Sequence, residues 1–167
     1  MSELWVMESL PSDQVLISSG YGVGAALFQI RAEGDTLVAE ELWKNLRLKA
    51  KFANFVYRGD YIYGLDDGIL ACVSIADGKR VWKAGRYGHG QLLLVGDKLL
   101  VQSEDGELFL VNASPEAHIE LGSLPVLNGK AWNTMALVGN QLLMRNHREA
   151  VCLQLPTLST TAQGRGF

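Results

Sequence analysis

Between Asp60 and Lys83 the chain reads DYIYGLDDGILACVSIADGKRVWK. Two apolar runs, Tyr61 to Leu65 and Ile69 to Ile75, are parted by Asp66-Asp67-Gly68, and a third, Lys79 to Trp82, follows Ala76-Asp77-Gly78. Asp-Gly between β-rich runs marks a tight hairpin, because both central residues of a type I′ turn need φ > 0. The pattern predicts a three-stranded antiparallel meander. The preceding run, Phe52 to Tyr57, closed by Arg58-Gly59-Asp60, makes it four strands. Nowhere does a 3.6-residue period persist, so the chain is expected to be all-β with no helix longer than about two turns.

The unit recurs. Aligning the turn between first and second strands brings Ser12-Asp13-Gln14, Gly59-Asp60-Tyr61, Gly96-Asp97-Lys98 and Gly139-Asn140-Gln141 into register, at intervals of roughly 40 residues. The second turn returns as Gly22-Val23-Gly24, Asp67-Gly68, Asp105-Gly106 and, degenerately, Arg148-Glu149. Trp43-Lys44 matches Trp82-Lys83 in the fourth strand, where a large aromatic can pack between neighbouring sheets. Radially repeated four-stranded antiparallel units are the blades of a β-propeller.

Four blades are expected at about 1–45, 51–85, 89–122 and 130–156, with Leu4 to Glu8 as a doubtful innermost strand and the last blade lacking its outermost one. The polar tail 157–167 is expected to be disordered. Three and a half to four blades make a partial propeller, since rings close with typically 4 to 8. Three outcomes stand open: the C-terminal blades of a longer propeller, which is preferred; a homodimer closing a ring; or a small four-bladed ring. An open arc should leave Leu16 and Leu27 uncovered at one end and Leu143 and Leu153 at the other.

Read as a whole, YIYGLDDGILACVSIADGKRVW resembles the repeat of the quinoprotein-type (PQQ-like) β-propellers, whose blades run through a Tyr-x-Leu-Asp and a Gly-Lys-x-x-Trp pattern. The match is close at residues 60–83, fair at 14–44, and weaker at 97–121 and 140–155, where the terminal Trp is missing. In that family the dehydrogenases hold the quinone with an adjacent-cysteine disulfide, a calcium site of Glu and Asn, and a catalytic Asp. This chain has no adjacent cysteines and no segment matching the calcium ligands, so the resemblance implies the repeat and not the cofactor. No cofactor is expected, PQQ and calcium entering only through the family. Relatives in the family are often extracytoplasmic, but MSELWVMESLPSD has early acids and no basic segment ahead of an apolar run, so no secretory signal is expected.

Composition narrows the partners. A formal charge of −3 and a pI near 5.6 argue against nucleic acid, which calls for a basic stripe. No 18-residue apolar run exists, so no membrane span is expected. The basic cluster Arg47, Lys49 and Lys51 reads as a solvated linker between blades. Gly20-Tyr21-Gly22-Val23-Gly24 has the look of a phosphate cradle, but no helix pattern follows it and a hairpin connection is the better reading. Cys72 and Cys152 fall in the third strands of different blades and are expected to be two buried thiols, too far apart to bridge.

Candidate binding residues come from the register. Phe52, His89 and Trp132 become equivalent near the start of the innermost strands, as do Asn54, Gln91 and Thr134, so their side chains are expected at one mouth of the channel. With the adjacent Arg86, Tyr87 and Asn133, they define a candidate rim of Asn54, Arg86, Tyr87, His89, Gln91, Trp132, Asn133 and Thr134. No catalytic or metal residues are expected, because His89, His118 and His147 share no metal-ligand spacing and no nucleophile elbow or paired-acid segment appears. The preferred function is a non-catalytic propeller module for protein or ligand binding or scaffolding, similar in kind to the lipoprotein propeller of the outer-membrane β-barrel assembly machinery. The alternative is a fragment of a PQQ-dependent oxidoreductase whose catalytic residues lie in missing blades.

Overall fold

The computed structural model describes residues 6–10 and 13–156, and the expectations for Leu4 and for the tail 157–167 lie outside them. The described chain is all-β, with fifteen strands in four antiparallel sheets and no helix. Sheet one contains β1 (Val6–Leu10), β2 (Gln14–Ser19), β3 (Gly24–Glu33) and β4 (Thr36–Asn45). Sheet two contains β5 (Ala50–Arg58), β6 (Tyr61–Asp66), β7 (Ile69–Ser74) and β8 (Arg80–Arg86). Sheet three contains β9 (Gln91–Val95), β10 (Lys98–Gln102), β11 (Glu107–Asn112) and β12 (Glu120–Pro125). Sheet four has three strands, β13 (Ala136–Val138), β14 (Gln141–Arg145) and β15 (Ala150–Gln154).

Turn chemistry explains the meanders. Asp67 (φ 49°) and Gly68 (φ 84°) both take the left-handed conformation between β6 and β7, with Asp66 paired to Ile69, as a two-residue primed turn requires. The cluster Gly20 to Gly24 is the connection from β2 to β3 and leads into a strand, in keeping with a hairpin rather than a phosphate cradle. Residues 46–49 form the linker from sheet one to sheet two, while Lys51 belongs to β5. Boundaries shift where turn signals are weak. β12 starts at Glu120 rather than His118, because Ala113-Ser114-Pro115 offers no tight Asp-Gly turn, and β13 is only three residues long.

Each sheet packs on the next in chain order. Leu16, Leu27, Leu48, Phe55, Ile62 and Val73 form a core between sheets one and two. Tyr63, Leu65, Leu70, Cys72, Leu92, Leu99 and Val111 form one between sheets two and three, and Leu100, Leu108, Leu127, Leu142 and Met144 one between three and four. Trp43 and Trp82 occupy equivalent places, half-buried rather than fully buried. Trp43 Nε1 donates to Ile75 O at 2.7 Å and Trp82 Nε1 to Ser114 O at 3.0 Å, each reaching the turn after the third strand of the following sheet.

Three expectations are corrected here. Leu16 and Leu27 are not at a bare end: side chains alternate along a strand, and theirs point into the core shared with sheet two. Leu153 likewise packs toward sheet three, which leaves Leu143 exposed on the far face of sheet four. Cys152 is exposed on β15, because it alternates with the inward Val151 and Leu153 and so lies beside Leu143 on the outer face of sheet four, whereas Cys72 is buried; both thiols are free.

Candidate functional site at the linker end of the sheets

The linkers between sheets and the turns between second and third strands lie at one end of the molecule. There β5 carries a bulge, its pairing with β6 shifting between Ala50 and Phe55, and Phe52 sits in it at φ 57°. A non-glycine residue held in the left-handed region costs of order 1–3 kcal/mol, and bulges of this kind re-aim side chains. The Phe52 ring is turned out onto the end of the sheets, where it stacks on Trp132 at 5.9 Å between centroids and 25° between planes. The His89 ring meets Phe52 edge-on at 6.1 Å. The three residues aligned by the repeat thus come together, Phe52 from β5, His89 from the linker before β9 and Trp132 from the linker before β13.

Two buried amides, Gln91 and Gln102, and a half-buried one, Asn54, hold the backbone beneath the rings. Gln91 Nε2 donates to Phe52 O at 2.7 Å and to Trp132 O at 3.2 Å, so one side chain fixes both stacking residues. Asn54 bonds reciprocally with Leu92, its Nδ2 donating to Leu92 O at 2.8 Å and its Oδ1 accepting from Leu92 N at 2.7 Å. Gln102 Nε2 donates to Ala131 O and Asn133 O, which anchors the linker bearing Trp132.

Glu104 ties the cluster from the side. Its Oε2 accepts from His89 N at 3.1 Å, its Oε1 accepts from the Trp132 indole at 3.2 Å, and Lys130 Nζ lies 3.6 Å away. The His89 N–H, helped by the indole N–H and by nearby positive charge, holds the Glu104 carboxyl below the usual range. Cations sit over the rings: Lys51 Nζ is 4.7 Å from the Tyr21 centroid and 5.7 Å from that of Phe52, and Lys130 Nζ is 4.8 Å from that of Trp132. These rings remain open to solvent, with Tyr21 63%, Phe52 39% and Trp132 47% exposed. Beside Trp132 lies a cleft of about 550 Å³ lined by Asn128, Lys130, Asn133, His147 and Arg148. Arg148 Nε donates to His147 Nε2 at 3.0 Å.

The candidate rim residues divide. His89 and Trp132 lie in the cluster, Asn133 borders the cleft and Arg86 is exposed at the end of β8. Asn54 and Gln91 spend their amides on backbone and serve the scaffold. Tyr87 is buried in the core between sheets two and three, its hydroxyl 2.8 Å from His118 Nε2 and donating to Glu120 at 3.0 Å, so it is not a rim residue; its apolar ring is worth more there. Thr134 is exposed in the loop before β13 and takes no part in the ring contacts.

Sequence reasoning missed Tyr21, Lys51, Glu104 and Lys130. Lys51 stood inside the basic cluster read as linker, and Glu104 precedes the Asp105-Gly106 turn at the position that Asp66 holds before Asp67-Gly68. Asp66 itself is buried, accepting from Lys49 N, Arg80 and Lys83 in an ion-pair network that braces sheet two. Among the described residues no group of three or more His, Cys, Asp or Glu is placed to hold a metal ion, and no helix is long and apolar enough to cross a membrane.

No protein-family model and no curated protein sequence matches the chain. Solved structures do. A KlHsv2 with loop 6CD replaced by a Gly-Ser linker aligns over 87% of this chain and 46% of its own, at 12% identity and a TM-score of 0.53. The computationally designed Ika8 protein aligns over 83% of this chain and 54% of its own, at 7% identity and a TM-score of 0.52. The chain therefore spans about half the length of these structures, and what it shares with them is the fold alone.

Proposed function

We propose that the four sheets are blades of a partial β-propeller built on a quinoprotein-like repeat, and that the chain works as a non-catalytic binding or scaffolding module. Four meanders packed face to face in chain order support the propeller reading, and the span of about half of each similar structure supports an incomplete ring. Further blades of a longer chain, or a second copy, complete it. The binding face is the linker end.

One observation carries this reading. Phe52, His89 and Trp132 converge from three different sheet junctions into one solvent-open aromatic cluster, on a backbone strained at Phe52 and fixed by Gln91 and Glu104. Strained backbone, braced from below and presenting aromatic rings to solvent, is what recognition surfaces provide. Selection of binders from an unbiased displayed-peptide library tests it. The recovered peptides are expected to lose at least tenfold in affinity on Trp132→Ala, with the far-UV CD spectrum unchanged; binders indifferent to Trp132→Ala and Phe52→Ala alike would move the binding face elsewhere.

A further inference from the structure

We infer that the linker-end cluster recognises an acidic, extended peptide segment, whose carboxylates pair with Lys51 on one flank of the stacked rings and with Lys130 and Arg148 on the other; this rests on the binding-module reading above. The geometry separates peptide from nucleic acid. Single-stranded nucleic acid is gripped by stacking bases on open aromatic faces. Here Phe52 and Trp132 stack on each other, and ammonium groups lie over the rings, Lys51 over Tyr21 and Phe52 and Lys130 over Trp132. Faces already used in this way offer a base little, while an ammonium held over a ring still directs its remaining donors outward to an anion.

Charge accounts for both flanks. Lys51 has no acidic partner among the described residues, and Lys130 has only the 3.6 Å approach to Glu104, whose oxygens already serve His89 N and the Trp132 indole. In the cleft, Arg148 uses Nε on His147 and makes no ion pair among the described residues, which leaves its terminal nitrogens for a bidentate carboxylate. Asn128 and Asn133 border the same cleft. An extended peptide advances roughly 3.3 Å per residue, so acids a few positions apart reach both flanks while the intervening side chain rests on the Phe52–Trp132 edge.

The test is a titration of a 12-residue peptide rich in Asp and Glu against its Asn/Gln counterpart and against single-stranded oligonucleotide, followed by tryptophan fluorescence and by calorimetry. Saturable binding of the acidic peptide is expected, weakening as salt rises, with at least a tenfold loss in the Lys51→Gln/Lys130→Gln double variant and again in Arg148→Gln. Glutamine keeps the stem of each side chain, and unchanged CD and thermal midpoint identify variants that remain folded. Equal binding of the Asn/Gln peptide overturns the inference, as does preferential binding of the oligonucleotide or the absence of saturable binding. Library-selected binders that depend on Trp132 but carry no acids would sink this inference and leave the binding-module reading standing.

Discussion

At the scale of single residues, what was legible was what the repeat repeats. The equivalence of Trp43 and Trp82 could be read from Trp-Lys, and both indoles donate to the following sheet. Trp82→Phe, which loses the indole N–H and the second ring but keeps an aromatic ring in the site, is expected to cost about 1 kcal/mol or somewhat more, and Trp82→Ala about 3 kcal/mol, because it empties a half-buried site; chemical denaturation measures both, and a Trp82→Phe variant with no loss would remove the hydrogen bond from the account. The burial of Cys72 was legible in the repeat, but Cys152 does not match it, since Cys152 lies beside Leu143 on the outer face of the last sheet. Burial pushes the Cys72 thiol up to about 11, so it stays protonated and unreactive at neutral pH. A thiol reagent is expected to modify Cys152 alone in the folded protein and both cysteines after denaturation; native labelling that survives Cys152→Ser would contradict this. Glu104 supplies a pH dependence. Its carboxyl is held below the usual range in the folded state, so its stabilisation is complete above the ordinary Glu value and is lost as pH falls through the lower folded value. The gap in thermal midpoint between the protein and Glu104→Gln should accordingly close on acidification, and a gap that widens would refute the assignment.

At the scale of elements, tight turns were read well and irregular connections were not. Asp67-Gly68 dictates its own φ values and so fixes β6 against β7. The bulge at Phe52 has no such signature: a phenylalanine with positive φ runs against its own preference and persists only because Gln91, a residue of the next sheet, fixes its carbonyl. This is why the sequence register could align Phe52, His89 and Trp132 while saying nothing of the cations or of Glu104, which reach the cluster through tertiary packing. Gly78 shows the same dependence in reverse. A Cβ there would lie 2.7 Å from Trp43 Cε3, and its φ of 65° disfavours any side chain, so Gly78→Ala should destabilise by more than about 1 kcal/mol and disturb Trp43 fluorescence. An unchanged midpoint would show that this junction yields easily.

At the scale of the whole molecule, the two end sheets differ. The outer face of sheet one carries a cleft of about 300 Å³ bordered by Ile17, Val23, Ala26 and Phe28, with Glu41 and Lys44, whereas the outer face of sheet four is a shallow surface on which Leu143 pairs with Ala136 and Cys152 and Val138 is exposed. Covering both by joining first sheet to last would let one two-fold axis generate two like contacts. Expressed alone, the chain is expected to self-associate at micromolar concentration, and light scattering that returns a stable, non-aggregating monomer would exclude the paired arc.

The three core clusters also set how disturbance spreads. Each is shared by two consecutive sheets only, so sheet four is secured through a single apolar seam and sheet two through a pair. In such a linear array the free energy of opening is a sum over nearest neighbours, and the protein should come apart from its ends inward instead of all at once. Amide hydrogens of β14 and β15 would then exchange with solvent sooner than those of β6 and β7, giving the chain a rigid middle and a terminal unit that opens at low cost.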